Sequence, residues 1–543
     1  MAVREVVSAI VALLFLVTGP GGVFAAGPAA DLEAFAKRLA APATQKQALA
    51  EAADFSDPGL ETLLRALKEG GLYLYRDRPV LLADDASLKD LAGQPVLEGG
   101  QPAQLPSGQE AVALDESLFG AVQAILQRLE VFAPNVATRR SAAFKLGTSG
   151  DVSAVPLLTR ALERETDAGV RAVLAEALAK LQLASPDPAA RLSAIRALTQ
   201  SRSEAAMPAL RGVMERDPDP TVKAEAQSAI TSLERFLFRR NVLGYFFNGT
   251  SLAAVLLIMS LGLSVTFGLM GIINMAHGEM LMIGSYTAYV MQEVFTVHLR
   301  AHQDYFFVVA LPLSFLVAGL IGLALEVGLL RFLYQRPLET LIVTWGIGMI
   351  FQQAARLWFG DQTSVSPPTW FRGGWEVLPG LIFPWSRIFI IGLALAVLLA
   401  LALLFYRSYT GLKIRAVMQN RAMASCLGVS TRRLDALTFA LGTALAGVAG
   451  CALSLIGTVD PEVGKTYIVD SFMVVVLGGV GKLVGTVVAS LGIGLSNKLL
   501  EPAIGGTAAA IYAKVAILGI VIAFLQWRPT GLFAAKGRAA EAA

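Results

Sequence analysis

The chain has 543 residues, 55% of them apolar, and a formal net charge of +3. It is too long and too apolar for one soluble domain, and its basic residues do not cluster with interleaved aromatics, which argues against nucleic-acid binding. Cys426 and Cys451 are the only cysteines, and His277, His298 and His302 the only histidines. This leaves no disulfide framework and argues against a zinc site or a Ser-His-Asp triad, so neither metal nor cofactor is expected.

Met1–Ala25 reads as a secretory signal: Arg4, a short apolar core over Val6–Val17, and small residues around Val23-Phe24-Ala25. An uncleaved anchor is the alternative. Either way, the region from about 27 to 238 is expected on the outer side of a bacterial inner membrane, facing the periplasm. Within it, residues 27–110 form a helical region with a short β and loop segment. Asp31–Lys68 has helical spacing in Leu32, Phe35, Leu39, Leu60, Leu63, Leu64 and Leu67. Leu72–Tyr75 and Val80–Leu82 read as strands around Asp77–Pro79, followed by Gly- and Pro-rich loops.

Residues 111–238 repeat themselves. Asn135–Leu146, Asp167–Leu178, Asp187–Leu198 and Asp219–Ile230 each open on Asn or Asp, carry Arg139, Arg171, Arg191 or Lys223 at the fifth position, and close on Leu or Ile. Ala154-Val-Pro-Leu-Leu also matches Ala206-Met-Pro-Ala-Leu. The Asn and Asp residues suit helix N-caps. Stacked helices of this kind form an α-solenoid resembling HEAT-like repeats, which serves either to bind protein or as a spacer.

Beyond residue 240 the chain becomes a series of nearly uncharged runs. Spans are expected at about 243–267, 270–292, 306–330, 340–360, 387–406, 435–457, 484–500 and 507–527. A shorter run at about 468–481 reads as a broken helix. The fold class is thus all-α: a polytopic membrane protein of about eight spans plus a broken short helix, with an exported N-terminal solenoid. Arg407, Lys413, Arg415, Arg421, Arg432 and Arg433 lie between two spans and mark that loop as cytoplasmic. Counting outward from it puts residue 240 outside and the tail 534–543 inside. Arg239 and Arg240 run against this rule.

No charged residue occurs between Arg240 and Glu279. Gly271-Ile-Ile-Asn-Met-Ala-His-Gly-Glu-Met280 then places Asn274, His277 and Glu279 in apolar surroundings, where such groups face a protein interior or a water-filled path. Gly271 and Gly278 allow a helix break or a close backbone approach. The segment reads either as a path or hinge, or as a packing cluster. Glu326, deep in another span, either pairs with His277 or lies near the cytoplasmic end. Small residues four apart, Gly442, Ala446, Gly450 and Gly481, Gly485, Ala489, mark close helix contacts. The stretch Ala422–Gly428 reads as a short exposed helix that docks on a partner, or as an ordinary basic loop. Val463-Gly-Lys-Thr466 ends like a phosphate loop, but Val459 stands where that motif needs glycine, so it is not read as an ATP site, and if transport is ATP-driven the ATPase is another chain.

Residues 241–533 resemble the permease subunits of branched-chain amino acid-type ABC importers. Four motifs carry the resemblance: Gly271–Glu279; Gly411-Leu-Lys-Ile-Arg-Ala416 leading to Gly428-Val-Ser; Val476-Leu-Gly-Gly-Val-Gly-Lys-Leu-Val-Gly485; and Arg528-Pro-Thr-Gly-Leu-Phe533. Met275 stands where many members have Phe. The long N-terminal extension is similar to that of the urea-importing branch, which implies urea or a short amide as substrate. The alternatives are branched-chain amino acids, or an envelope scaffold or sensor anchored in the membrane. The resemblance implies a non-enzymatic permease working with a second permease subunit, two cytoplasmic ATPase subunits and a periplasmic substrate-binding protein. It implies a path or gate at Asn274, His277, Glu279, Glu326 and Gln352, ATPase coupling through Arg421, Ala422, Ala424, Gly428 and Ser430, and a helix break at Gly478, Gly479 and Gly481.

Overall fold

Asp and Asn residues cap four helices of the N-terminal region, as their chemistry allows. In a computed structural model of the chain, Asn135 accepts from the Ala137 amide at 2.8 Å, Asp167 from Val170 at 2.9 Å, Asp187 from Ala189 at 3.0 Å and Asp219 from Thr221 at 2.8 Å. Each satisfies an amide that the first helical turn leaves without a partner. The structure describes residues 28–51, 59–76, 78–82, 87–91, 93–98, 101–103, 105, 111–271, 274–334 and 336–533. The expected signal segment and the tail from residue 534 lie outside them. The chain divides into two units, Met1–Leu233 and Glu234–Ala543.

The first unit opens with α1 (Pro28–Ala40), α2 (Pro42–Glu51) and α3 (Gly59–Glu69). The continuous helical spacing read over Asp31–Lys68 is therefore interrupted. Pro42 lacks an amide hydrogen, so it opens a new helix instead of extending α1. β1 (Leu72–Tyr75) and β2 (Arg78–Leu82) pair antiparallel, with Leu72 opposite Leu81, and β3 (Leu88–Lys89) extends the sheet. β4 (Leu97–Glu98) and β5 (Gln101–Pro102) form a separate ribbon. The apolar stripe Leu60, Leu63, Leu64 and Leu67 of α3 is fully buried against Phe35 and Leu39 of α1 and against Val122 and Ile125 of α4 (Phe119–Leu129).

The rest of this unit is built on a 52-residue period. α5 (Val136–Ser149), α6 (Val155–Arg164) and α7 (Ala168–Gln182) are followed by α8 (Pro188–Ser201), α9 (Met207–Arg216) and the start of α10 (Pro220–Met270), which from Glu234 onward belongs to the second unit. Each helix begins 52 positions after its counterpart. The ion pairs repeat in the same register. Arg139 Nε and Nη2 donate to Glu165 at 2.7 and 2.9 Å, while Nη1 donates to the Ala133 and Pro134 carbonyls. Arg191 makes the equivalent bonds to Asp217, Ser185 and Pro186. Each arginine thus ties the turn before its helix to the residue closing the next helix, and its planar fork matches both.

The Arg139 guanidinium, helped by backbone amides of Asp167 and Thr166, holds the Glu165 carboxyl at about 2 against an ordinary 4.5. A lowered folded-state pKa stabilises fully above the unfolded value and less as pH falls toward the folded one. The urea midpoint of the full chain, followed by circular dichroism, should therefore differ most between wild type and Glu165→Gln above about pH 4.5. The difference should close toward about pH 2. A pH-independent difference would assign the loss to packing alone.

The second unit contains α11 (His277–His298), α12 (Phe306–Gly328), α13 (Pro337–Phe359), a β6–β7 hairpin (Gly374–Leu378, Leu381–Pro384), α14 (Trp385–Arg407), α15 (Tyr409–Gln419), α16 (Arg421–Cys426), α17 (Thr431–Leu453), α18 (Val463–Gly478), α19 (Leu483–Ile504) and α20 (Ala509–Trp527). Among the described residues, six helical stretches are long and apolar enough to cross a membrane: Pro220–Met270, Arg300–Phe332, Trp385–Arg407, Thr431–Leu453, Leu483–Ile504 and Ala509–Trp527. The composition-based expectation of about eight spans differs from this. α11 and α13 have spanning length, but His277, Glu279, Gln292 and Glu293 in one, and Glu339, Gln352, Gln353 and Arg356 in the other, make them too polar to be counted. α18, with 16 residues, is shorter than any of these six stretches.

Glycine lets the central helices touch through their backbones. A Cβ at Gly284 would lie 1.9 Å from the Gly447 carbonyl oxygen, and one at Gly450 would lie 1.8 Å from that of Leu281. α11, α12 and α17 meet here, and nearly all of α17 beyond Phe439 is buried. In an apolar medium, close van der Waals packing and shared polar contacts replace the hydrophobic drive. Ser285 supplies one such contact, donating to the Gly450 carbonyl at 2.8 Å.

Candidate functional site

Gly271, at φ +65°, ends α10 in a backbone conformation that other residues rarely adopt. Ile272 and Ile273 lie outside the described residues. Asn274 Oδ1 accepts from the Ala276 amide at 3.0 Å, and the chain re-enters helix at His277. The span expected from about residue 270 therefore begins as helix only at His277, and the described residues 271 and 274–276 between α10 and α11 are not helical. Irregular backbone of this kind is tolerated at membrane depth where it is buried in protein or lines a cavity.

α13 lies across this break. Thr344, Gly348 and Gln352 stand four apart on one face of it. Thr344 Oγ1 accepts from the Met275 amide at 3.2 Å. Gly348 leaves room for Glu279, whose Cγ would lie 3.3 Å from a Cβ there. Gln352 Nε2 donates to Glu279 Oε1 at 2.6 Å. Asn274, Glu279 and Gln352 are all buried, and Glu279 Oε2 and Asn274 Nδ2 have no hydrogen-bond partner among the described residues. A buried acceptor and a buried donor left open are costly unless something else fills them.

The other expected site residues fall elsewhere. His277 is fully buried, and its Nε2–H donates to the Met259 carbonyl at 3.1 Å, which fixes the tautomer. Beside it, Gly278 and Gly464 press α11 and α18 together: a Cβ at Gly278 would sit 2.7 Å from the Gly464 oxygen. Glu326 does not pair with His277. It accepts from the Tyr334 hydroxyl at 2.6 Å and lies 4.0 Å from Arg331, near the C-terminal end of α12. The Tyr334 ring lies under the Arg421 guanidinium, 5.6 Å from its centroid, and Arg421 forms an ion pair with the fully buried Asp435. Glu326, Tyr334, Arg421 and Asp435 therefore join the end of α12 to α16 and α17.

α16 itself is a short helix capped by Asn420, which accepts from the Met423 amide at 2.9 Å, and it is followed by Gly428 at φ +85°. Ala424 packs inward, whereas Ala422, Gly428 and Ser430 are exposed together with Met423 and Leu427. Gly478 ends α18, and Gly479 (φ +94°) and Gly481 (φ +72°) turn the chain into α19. The Leu532 amide donates to the Leu477 carbonyl at 2.8 Å, so the C-terminal Arg528–Phe533 motif closes on this turn.

One pair escaped sequence reading. Asp470 of α18, 2% exposed, lies 3.3 Å from Lys514 of α20. Each is an isolated charge within an apolar run, and that isolation is the signal that marks such residues.

The profile described as "Branched-chain amino acid transport system / permease component" matches residues 245–525, which lie within the second unit. The chain belongs to this permease family. The permease is 29% identical over 295 residues to the high-affinity branched-chain amino acid transport system permease protein BraD of Pseudomonas aeruginosa, covering 52% of this chain and 93% of that protein. It is 29% identical to LivH of Salmonella typhimurium over 55% of this chain and 96% of that one. It is 26% identical to a probable LivH of Methanocaldococcus jannaschii over 51% and 88%. A PBS lyase HEAT-like repeat matches residues 138–164. No solved structure matches the chain significantly. The permease is a multi-pass transport component and not an enzyme, and as part of an ABC importer it depends on ATPase subunits and a substrate-binding protein.

Proposed function

We propose that the permease passes urea or a short amide inward across the inner membrane, delivered by a periplasmic binding protein and driven by two ATPase subunits. A second permease subunit completes the pore. The observation that supports a polar path is the buried polar group at the α10–α11 break, and the choice of urea rests on the long N-terminal extension. Glu279 Oε2 offers an acceptor and Asn274 Nδ2 a donor, both unfilled, beside the Glu279–Gln352 bond. Urea is small, planar and uncharged, with amide donors and a carbonyl acceptor that complement both. In this reading Asn274, Glu279 and Gln352 line the path, His277 braces the break, and Glu326 belongs to the coupling end with Arg421. Exposed Met423 on α16 and Leu427 just after it offer the apolar anchors that an ATPase groove would take, with Ala424 seating the helix. The first unit is exported, and its helical repeats form a solenoid.

Branched-chain amino acids are the second reading, favoured by the names of the relatives. Uptake of labelled urea and labelled leucine in a deletion strain, with and without the permease gene restored, separates the two. Restored urea uptake with unchanged leucine uptake is expected. The reverse result would give the permease to the amino acids.

A further inference from the structure

The two 52-residue copies in the first unit share their framework but not one corner of it. In both, the arginine fork grips the acid that closes the next helix, Arg139 with Glu165 and Arg191 with Asp217. Around the first fork lies a cavity of about 430 Å³. Leu129, Val131, Phe132 and Leu157 form its apolar wall, and Arg160 and Arg164 lie one helical turn apart beside them. The positions 52 residues on are Ala184 for Phe132, Ala209 for Leu157 and Gly212 for Arg160. The scaffold therefore needs none of these three larger side chains, whereas Arg164 recurs as Arg216. Glu165 is already neutralised by Arg139, and Glu61, the other acid lining the cavity, accepts from Arg65 at 2.9 Å. Arg160 and Arg164 are exposed and have no ion pair or hydrogen bond among the described residues.

We propose that this cavity binds an apolar carboxylate, its body against Phe132 and Leu157 and its charge on Arg160 and Arg164. Guanidinium groups one turn apart match the two oxygens of such a group, and the apolar wall selects a hydrocarbon body over a purely hydrated anion. The site is separate from the transport path and does not depend on the identity of the transported solute.

The probe is 3-phenylpropionate, compared with its uncharged amide, measured by saturation-transfer NMR on the full chain in lipid nanodiscs. Saturable binding of the acid is expected, with the amide about tenfold weaker, which is the loss of one charged hydrogen bond. Arg160→Gly copies the second repeat and should weaken the acid about tenfold while leaving the amide unchanged. Phe132→Ala should weaken both. Both exchanges reproduce residues that the second copy already carries, so the fold should tolerate them. Absence of saturable binding, equal affinity for acid and amide, or an unchanged affinity in Arg160→Gly would overturn the proposal.

Discussion

Replacing Gly450 by valine is expected to remove the folded permease from the membrane. A Cβ there would lie 1.8 Å from the Leu281 carbonyl oxygen, and one at Gly284 would lie 1.9 Å from that of Gly447. The obstructing atoms are backbone, so no rotamer change relieves the overlap. α11 and α17 must separate, and with them the buried contacts of α12 at Ala318 and Ser314, which press against Gly447. Overpacking at an ordinary core site costs about 1–3 kcal/mol, and this contact belongs at or above the top of that range. Gly450→Val and Gly284→Val should each give little monodisperse protein and a lowered melting temperature. Gly346→Ala and Gly392→Ala meet nothing within 4 Å, so both should express and melt like wild type. Equal yields of Gly450→Val and Gly346→Ala would remove backbone contact as the organising feature of the bundle.

The glycines show what could be read locally and what could not. Gly442, Ala446 and Gly450 stood out because a four-residue spacing puts them on one helix face. Gly262, which faces Gly442, and Leu281, which faces Gly450, lie on other helices, and one-dimensional spacing holds no record of such pairings. The N-caps were legible for the same local reason: Asp and Asn act on amides two or three residues away. The break at Gly271 was legible as a glycine beside polar residues. Its extent was not, because the re-entry at His277 is set by Thr344 and Gln352 on α13. Glu279 and Gln352 could each be singled out as polar residues in apolar runs. That they are hydrogen-bond partners depends on the tertiary approach of α11 and α13. Glu326 illustrates the limit: the alternatives for it were both chemically sound, and Tyr334, eight residues on, decided between them. Asp470 and Lys514 are each marked by isolation inside an apolar run, but their pairing depends on the approach of α18 and α20.

Glu279→Gln should leave the permease assembled but cut solute uptake at least about tenfold. The substitution keeps the shape and volume of the side chain, so packing against Gly348 is retained. It replaces the open Oε2 acceptor by a donor, and the carboxylate disappears from the break between α10 and α11. If that carboxylate serves the transport cycle, turnover falls with normal membrane levels, normal co-purification of the ATPase subunits and little change in melting temperature. Gln352→Leu tests the other half of the pair. It strips the only hydrogen-bond donor of Glu279 among the described residues, which costs about 1–3 kcal/mol for a buried polar group and more for a charged one. The single change should therefore lower both stability and uptake. The exchange Glu279→Gln with Gln352→Glu restores one carboxylate and one amide with their places reversed. A packing role requires only the bond, so the double exchange would then recover stability and uptake together. A role in the cycle requires the charge on α11, next to the unpaired Asn274 amide, and the double exchange should recover stability while uptake stays low. Full recovery of uptake would return the cluster to helix packing, and loss of the assembled complex in Glu279→Gln alone would do the same.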